Sequence, residues 1–400
     1  MQNRRKFIKN SLLTVTGAGF AGRFYLPSRQ LSNQGKDKFI YRTLGKTGIK
    51  LPVISMGTNN TSNPALVRTA LERGVKLLAT AHAYQNGNNE KMIGNATKGI
   101  PRDSYMIMTN SFDINWITTQ TGIMNSTFRY KKLLNRFKSS LSSLGVEYVD
   151  IFVQPFTATR ESVFHEPVLK AMEALKNKGL TRFIGISTHR REPEAVRAAV
   201  DTGIYDIVMT SYNFLKSNKE ELNDALRYAA NAGLGIIAMK TMGGAYWDQD
   251  RKMPINSRAA LKWVIQNENI HTSVPDCGDF NQLDQDLEIM SDPTLTEQEL
   301  KDLTPPPGVS ISGLYCQQCG ECLPQCPFGV DIPCIMRSYM YAYGHQNFAH
   351  AKYTLTSAGL KSNPCKDCKS CNVRCKMGFD IRNKILDISG ILDVPDEFIA

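Results

Sequence analysis

The 400-residue chain contains no uninterrupted apolar run near the roughly 20 residues that a membrane-spanning helix requires, so no helical membrane span is expected. Its first 30 positions hold no acidic residue and six basic ones, Arg4, Arg5, Lys6, Lys9, Arg23 and Arg29. No G-x-G-x-x-G follows the first strand candidate, which argues against the phosphate-binding turn of a doubly wound sheet. Core-forming material is not scarce. Hydrophobic residues make up 42%, over a length that predicts one large and one small domain.

The acid-free segment reads as an address. Asn3-Arg4-Arg5-Lys6-Phe7-Ile8-Lys9 is followed by a mildly apolar stretch from Ser11 to Gly22. This is similar to a twin-arginine export signal, so residues 1–30 are expected to be signal-like and the protein periplasmic. No Ala-x-Ala cleavage site is evident, and no cysteine lies nearby for lipidation. That pathway moves folded proteins, which suits a chain loaded with cofactors before export.

Eight of the ten cysteines form two quartets of one spacing. Cys316, Cys319, Cys322 and Cys326 precede Pro327 as C-x2-C-x2-C-x3-C-P. Cys365, Cys368, Cys371 and Cys375 repeat the spacing with Lys376 in place of proline. Tight turns let three thiolates reach three corners of a cubane, while the fourth can serve either cluster. Structural zinc favours two separated C-x2-C pairs, and a disulfide framework would suit an oxidising compartment; the doubled ferredoxin spacing instead predicts two [4Fe–4S] clusters. Cys277 and Cys334 are left over and read as inert buried thiols. Between the quartets, Ile335, Met336, Tyr339, Met340 and Tyr343 fall at helical spacing, an aromatic face expected to pack as core.

The clusters also change the reading of charge. The formal net charge is +11, and loss of the N-terminal segment leaves about +5. Two cluster–thiolate centres of about −2 each bring this to roughly +1, so no nucleic-acid partner is expected.

From about residue 51 to 290, short β-branched runs alternate with helical patterns. Strands are predicted at Val53–Met56, Lys76–Thr80, Tyr105–Asn110, Asp150–Phe156, Phe183–Thr188, Ile207–Tyr212, Gly235–Lys240 and Thr272–Asp276. Helices are predicted at Asn63–Arg73, with Asn63 as cap and Pro64 in the first turn, and at Glu166–Lys178. Eight strand–helix units favour an α/β fold, a (β/α)8 TIM barrel, with the active site at the C-terminal strand ends.

Several segments resemble the aldo/keto reductase family. Tyr41-Arg42-Thr43-Leu44-Gly45-Lys46-Thr47-Gly48-Ile49 resembles its N-terminal hairpin, and residues 78–94 (LATAHAYQNGNNEKMIG) its second-strand motif. Tyr148–Phe152, Ile184–Thr188 and Ala238-Met239-Lys240 resemble later strands. A branch of that family carries a C-terminal double ferredoxin motif. The resemblance implies a barrel over about 38–295, a small, mainly helical iron–sulfur domain over 306–390, and a nicotinamide dinucleotide across the barrel mouth.

The resemblance also implies a tyrosine proton donor, an aspartate and a lysine that lower its pKa, and a histidine that orients substrate. Tyr84 stands at the tyrosine position, but Ala79, Asn110 and Pro155 stand at the other three, with Gln154 one residue from the last. An unassisted tyrosine titrates near 10 and is a poor acid at neutral pH, so ordinary carbonyl reduction is not expected. His189, at a strand end, is the candidate substitute; Arg190 is another, as is His82, which lies two residues before Tyr84 and on an extended strand end would face the same way. Dinucleotide contacts map to Ser187, Thr188, Tyr212, Lys240 and Gln282, while Met209 and Asp286 depart from the pattern. Asp276 and Asp279 would repel a 2′-phosphate, which favours NAD(H) over NADP(H).

Two functions follow. One is a periplasmic iron–sulfur oxidoreductase, passing electrons between a small molecule at the barrel mouth and an unidentified carrier. The other is a non-catalytic electron-transfer or ligand-binding protein on a degenerate barrel; clusters that merely staple the C-terminal lobe would be a plainer variant.

Overall fold

The computed structural model describes residues 38–118 and 120–399. The signal-like segment 1–30 lies outside them.

Tyr41–Thr43 pairs antiparallel with Lys50–Pro52, placing Tyr41 opposite Pro52. The connecting turn places Gly45 at φ +51° against the backbone of Gly233–Gly235, where a Cβ would collide. Leu44 and Leu51 are fully buried against Leu77, Ile151, Ile207 and Ile237, so this hairpin plugs one end of a barrel. Arg42 fastens it by donating to the carbonyls of Ile265, Asn267 and Ile270 at 2.7, 3.0 and 2.5 Å.

Eight parallel strands form that barrel: β1 (Met56–Gly57), β2 (Leu77–Ala79), β3 (Met106–Thr109), β4 (Val149–Thr157), β5 (Thr181–Thr188), β6 (Ile207–Ser211), β7 (Gly235–Met239) and β8 (Thr272–Ser273). Each pairs with its sequence neighbour, and bridges from Ile54 to Ser273 and Gly57 to Asp276 close the ring. All eight fall within or beside the strands expected from sequence. The helices follow the same logic. In α1 (Pro64–Glu72), the Asn63 side chain accepts from the Ala65 N–H and Pro64 occupies the first turn, where its missing N–H costs nothing. In α2 (Glu166–Asn177), Val168, Ala171, Met172 and Leu175 are buried at helical spacing.

After the barrel the chain forms a helical lobe with its own apolar core. It contains α3 (Ile332–Tyr339), capped by Asp331 accepting from the Cys334 N–H, then α4 (Phe348–Ser357) and α5 (Ile381–Ser389). Tyr339 and Met340 are buried, as expected of the inter-quartet helix. The sequence pattern did not anticipate the widening of that helix into a π-turn at Met340–Gly344. Such widenings shift the following side chains out of α-helical register. The lobe sits on the C-terminal face of the barrel. Gln317 donates to the Leu215 carbonyl at 2.7 Å, and Asn347 donates to Asn60 at 2.5 Å. Gly344 packs directly on the Gly244 backbone.

Candidate active site and cluster cradles

At the C-terminal strand ends lies a cavity of about 460 Å³. Its wall is shared: β-strand ends supply Ala79, Ser187, Met209 and Lys240, while the lobe supplies Tyr341, His345 and His350. The lobe therefore completes the barrel mouth.

The polar groups here are unevenly matched. Lys240, at the end of β7 with φ +58°, donates from Nζ to Tyr341 Oη at 3.0 Å and lies 4.5 Å from the ring centroid. The Tyr341 ring meets His350 edge-on at 4.2 Å, and Tyr84 meets His350 at 6.0 Å. Burial, then the nearby Lys240 charge, lowers His345 to about 4 and His350 to about 3, so both are neutral bases at pH 7. Burial, followed by Asp276 and Tyr341, raises the Tyr84 pKa far above the ordinary phenol, which makes Tyr84 a weaker acid still. Asp276 lines the cavity and accepts from the Asn59 N–H at 3.0 Å.

The candidate residues divide between two places. Tyr84, His189, Ser187, Lys240 and Gln282 all line the cavity. His189 stacks on Phe156 at 5.3 Å with its Nδ1 buried and unpartnered, and burial followed by Lys240 and Arg337 holds it neutral. Thr188 instead turns away, donating to the Arg190 carbonyl at 3.0 Å. Tyr212 stacks on Trp263 at 5.3 Å and donates to Asn223 at 2.8 Å, outside the cavity lining. His82 does not share a face with Tyr84, because β2 ends at Ala79 and the chain then turns; its Nδ1 lies 3.1 Å from Ser140 Oγ. Pro155 faces the cavity, whereas Gln154 is fully buried, donating to the Ser162 carbonyl and accepting from Tyr205. Arg190 is buried against Asp331 at 3.4 Å. Cys277 and Cys334 are both buried, and burial pushes Cys277 up to about 12.

The thiols form two cradles that exchange their fourth members. Cys316, Cys319, Cys322 and Cys375 surround one small void. Burial raises Cys316 to about 12, with Cys322, Cys319 and Cys375 close enough to add like charge. Burial raises Cys365 to about 11, with Cys368, Cys371 and Cys326 as its charged neighbours. Among the described residues no three His, Cys, Asp or Glu side chains converge as ligands of a single ion would. Thiols spread around a void fit a cubane, and thiols converging on one point would fit zinc. A second observation agrees. Arg337 is half-buried, and it donates to Cys334 Sγ at 3.3 Å, with Cys316 and Asp331 nearby. A net-negative cluster at Cys316 would add counter-charge to this guanidinium.

The inner cradle meets the cavity wall. Cys316, Arg337, His189, Lys240 and Tyr315 line one narrow gap of about 10 Å³. Sequence reasoning missed Tyr341, His345, His350 and Arg337 as members of the mouth. All four lie on the lobe, and only the docking of lobe on barrel brings them there.

Comparison with known proteins fits this architecture. The profile of the aldo/keto reductase family matches residues 53–258, and that of a 4Fe-4S dicluster domain matches residues 315–380. The chain belongs to the aldo/keto reductase family, joined to a C-terminal dicluster domain. It is 28% identical over 216 residues to the L-galactose dehydrogenase of Arabidopsis thaliana, covering 50% of this chain and 65% of that one, just under two thirds of its length. It is 24% identical over 290 residues to the morphine 6-dehydrogenase of Pseudomonas putida, covering 64% and 88%. The aldo-keto reductase AKR11C1 from Bacillus halodurans in its holo form shares the fold, with a TM-score of 0.52 at 17% identity over 71% of this chain and 98% of that one.

Proposed function

We propose that the protein is an exported, periplasmic iron–sulfur oxidoreductase. In this reading Cys316, Cys319, Cys322 and Cys375 would hold one [4Fe–4S] cluster beside the barrel mouth, and Cys326, Cys365, Cys368 and Cys371 a second one in the outer cradle; the pair would supply one-electron transfer between a small organic molecule at the mouth and an external carrier. The single observation that carries this reading is the gap shared by the cluster ligand Cys316 and the cavity residues His189 and Lys240. The export pattern in residues 1–30 and the dicluster match support the rest. Bound clusters each carry one electron, and two together match the pair exchanged when a secondary alcohol and a carbonyl interconvert.

The chain's own residues supply the proton chemistry in this reading. Ala79, Asn110 and Pro155 line the cavity where the family places charged or basic groups, so Tyr84 stands without its helpers. Lys240 donates to Tyr341 Oη, which leaves the phenol's own hydrogen to point at a cavity occupant. His345 and His350, held neutral, can accept a hydrogen bond from such an occupant without taking its proton. Ser187, Lys240 and Gln282 would contact NAD(H) if it is the resident two-electron molecule; the acids Asp276 and Asp279 oppose the 2′-phosphate of NADP(H). Tyr212, locked on Trp263, takes no part.

The test is mass spectrometry of small molecules released from anaerobically purified protein, with iron counted in the same sample. A stoichiometric two-electron organic molecule with about eight irons per chain supports the reading. Iron without such a molecule, and none taken up on titration, leaves a non-catalytic electron-transfer or binding protein.

A further inference from the structure

The two quartets share one spacing but not one environment. In the first, the residues between Cys316 and Cys319 are Gln317 and Gln318. Both are buried, the former bonded to the barrel at Leu215 and the latter to the Pro333 carbonyl. In the second, the equivalent residues Lys366 and Asp367 are exposed, as are Lys369 and Ser370 between Cys368 and Cys371. The same motif thus turns one cradle toward the barrel and the other toward solvent.

The outward segment is basic, and three of its lysines are unpaired. Residues 361–384 hold seven Lys and Arg against two acids, Asp367 and Asp380. After the charge of about −2 on an oxidised cluster, this segment keeps a net positive charge of about +3. Lys361, Lys366 and Lys369 have no ion-pair partner among the described residues, in contrast to Lys376, which pairs with Glu321 at 3.0 Å. The turn that joins this segment carries an exposed apolar group. Phe328, two residues after the outer-cradle ligand Cys326, is 72% exposed. The Gln325 side chain accepts from the Arg374 N–H at 2.7 Å, which ties this turn to the second quartet.

We infer that this face docks an acidic one-electron carrier protein, with Phe328 as the apolar contact and Lys361, Lys366 and Lys369 as the steering charges. An exposed aromatic on a turn tied to a basic segment is what a brief, orientated electron-transfer encounter uses: charge brings the partner in, and a small apolar contact holds it over the cluster. A small anionic electron acceptor would respond to the lysines but would have no use for Phe328. The inference rests on the oxidoreductase reading.

Its test is anaerobic stopped-flow oxidation of the dithionite-reduced full-length protein by two probes of high potential, an acidic plastocyanin and a basic cytochrome c. The wild-type rate with plastocyanin should exceed that with cytochrome c at low salt and fall by about tenfold or more as salt is raised. The K361E/K366E/K369E variant should lose about tenfold in rate at low salt, together with most of the salt dependence. F328A should slow the reaction at every salt concentration. Iron content and dithionite reduction should match wild type in both variants. Equal rates with the two probes, or a triple variant as fast as wild type, would overturn the docking face. So would lysine-dependent binding to anionic vesicles with electron transfer unchanged, which would reassign the face to a membrane surface. Absence of any cluster signal would instead sink the oxidoreductase reading itself.

Discussion

Acid should loosen the cap over the barrel mouth, and the loss should trace to His345 and His350. Burial first, then Lys240, holds His345 near 4; burial, then Lys240 and Arg337, holds His350 near 3. In the unfolded chain each ring takes up a proton below about 6.5, whereas in the folded chain each stays neutral to much lower pH. The stability conferred by this pair is therefore complete above about 6.5 and declines as the pH falls from there toward 4 and 3. At pH 5.5, one unit below the unfolded value, each ring costs at most about 1.4 kcal/mol, or about 3 for the pair. These are upper bounds, because both rings reach the cavity and any water within it. The measurement is urea unfolding under anaerobic conditions at pH 7.5 and 5.5, for wild type and for H345Q/H350Q. Acid damage to the clusters is common to both proteins and cancels in the comparison. Wild type should lose up to about 3 kcal/mol more than the variant on acidification. Equal losses would refute the reasoning and would mean that these rings are solvated.

Three further outcomes are expected. Arg337→Met should lower the midpoint potential of the inner cluster alone, because a half-buried positive charge favours the more negative reduced state; an EPR-monitored redox titration in which both midpoints move equally, or neither moves, would contradict this. C316S/C375A should retain about four irons per chain, since both residues serve the inner cradle; near-complete iron loss would show that each quartet closes on itself. Glu192→Gln should destabilise the protein by about 3–5 kcal/mol in denaturant titration, because it strands the buried Lys216 ammonium that now pairs with Glu192 at 2.5 Å, and a change below about 1 kcal/mol would refute it.

The barrel was legible in the sequence because parallel strands buried on both faces leave continuous apolar runs, such as Asp150–Phe156 and Gly235–Lys240, between helical patterns. The Asn63-Pro64 start was legible for a local reason, since a cap and a first-turn proline need only their own neighbours. The cysteine spacing was equally local. The mouth was not. His82 and Tyr84 seemed to share a face only while the strand was assumed to continue, and the turn after Ala79 parts them. Tyr341 lies within a π-turn that helical periodicity cannot reveal, His345 and His350 follow it, and Tyr341 meets Lys240 across about a hundred residues of chain. Exchange of Cys326 and Cys375 between cradles is likewise a matter of how two segments fold together.

The seam at Gly344 and Gly244 carries a consequence for how the molecule ages. Tyr341 and His345 hang from the same short run of chain that begins just beyond Cys326, and Gly344 admits no side chain against the barrel backbone. A cluster stripped by oxygen would therefore not leave a dark but otherwise intact cavity behind. Slack in the outer cradle, which holds Cys326, would pass along α3 to the mouth, and the vessel for the small molecule would warp as the wiring failed. Damage to the metal centre and loss of ligand would then be one event, so a worn-out copy could neither hold its cargo nor leak half-finished chemistry into its surroundings.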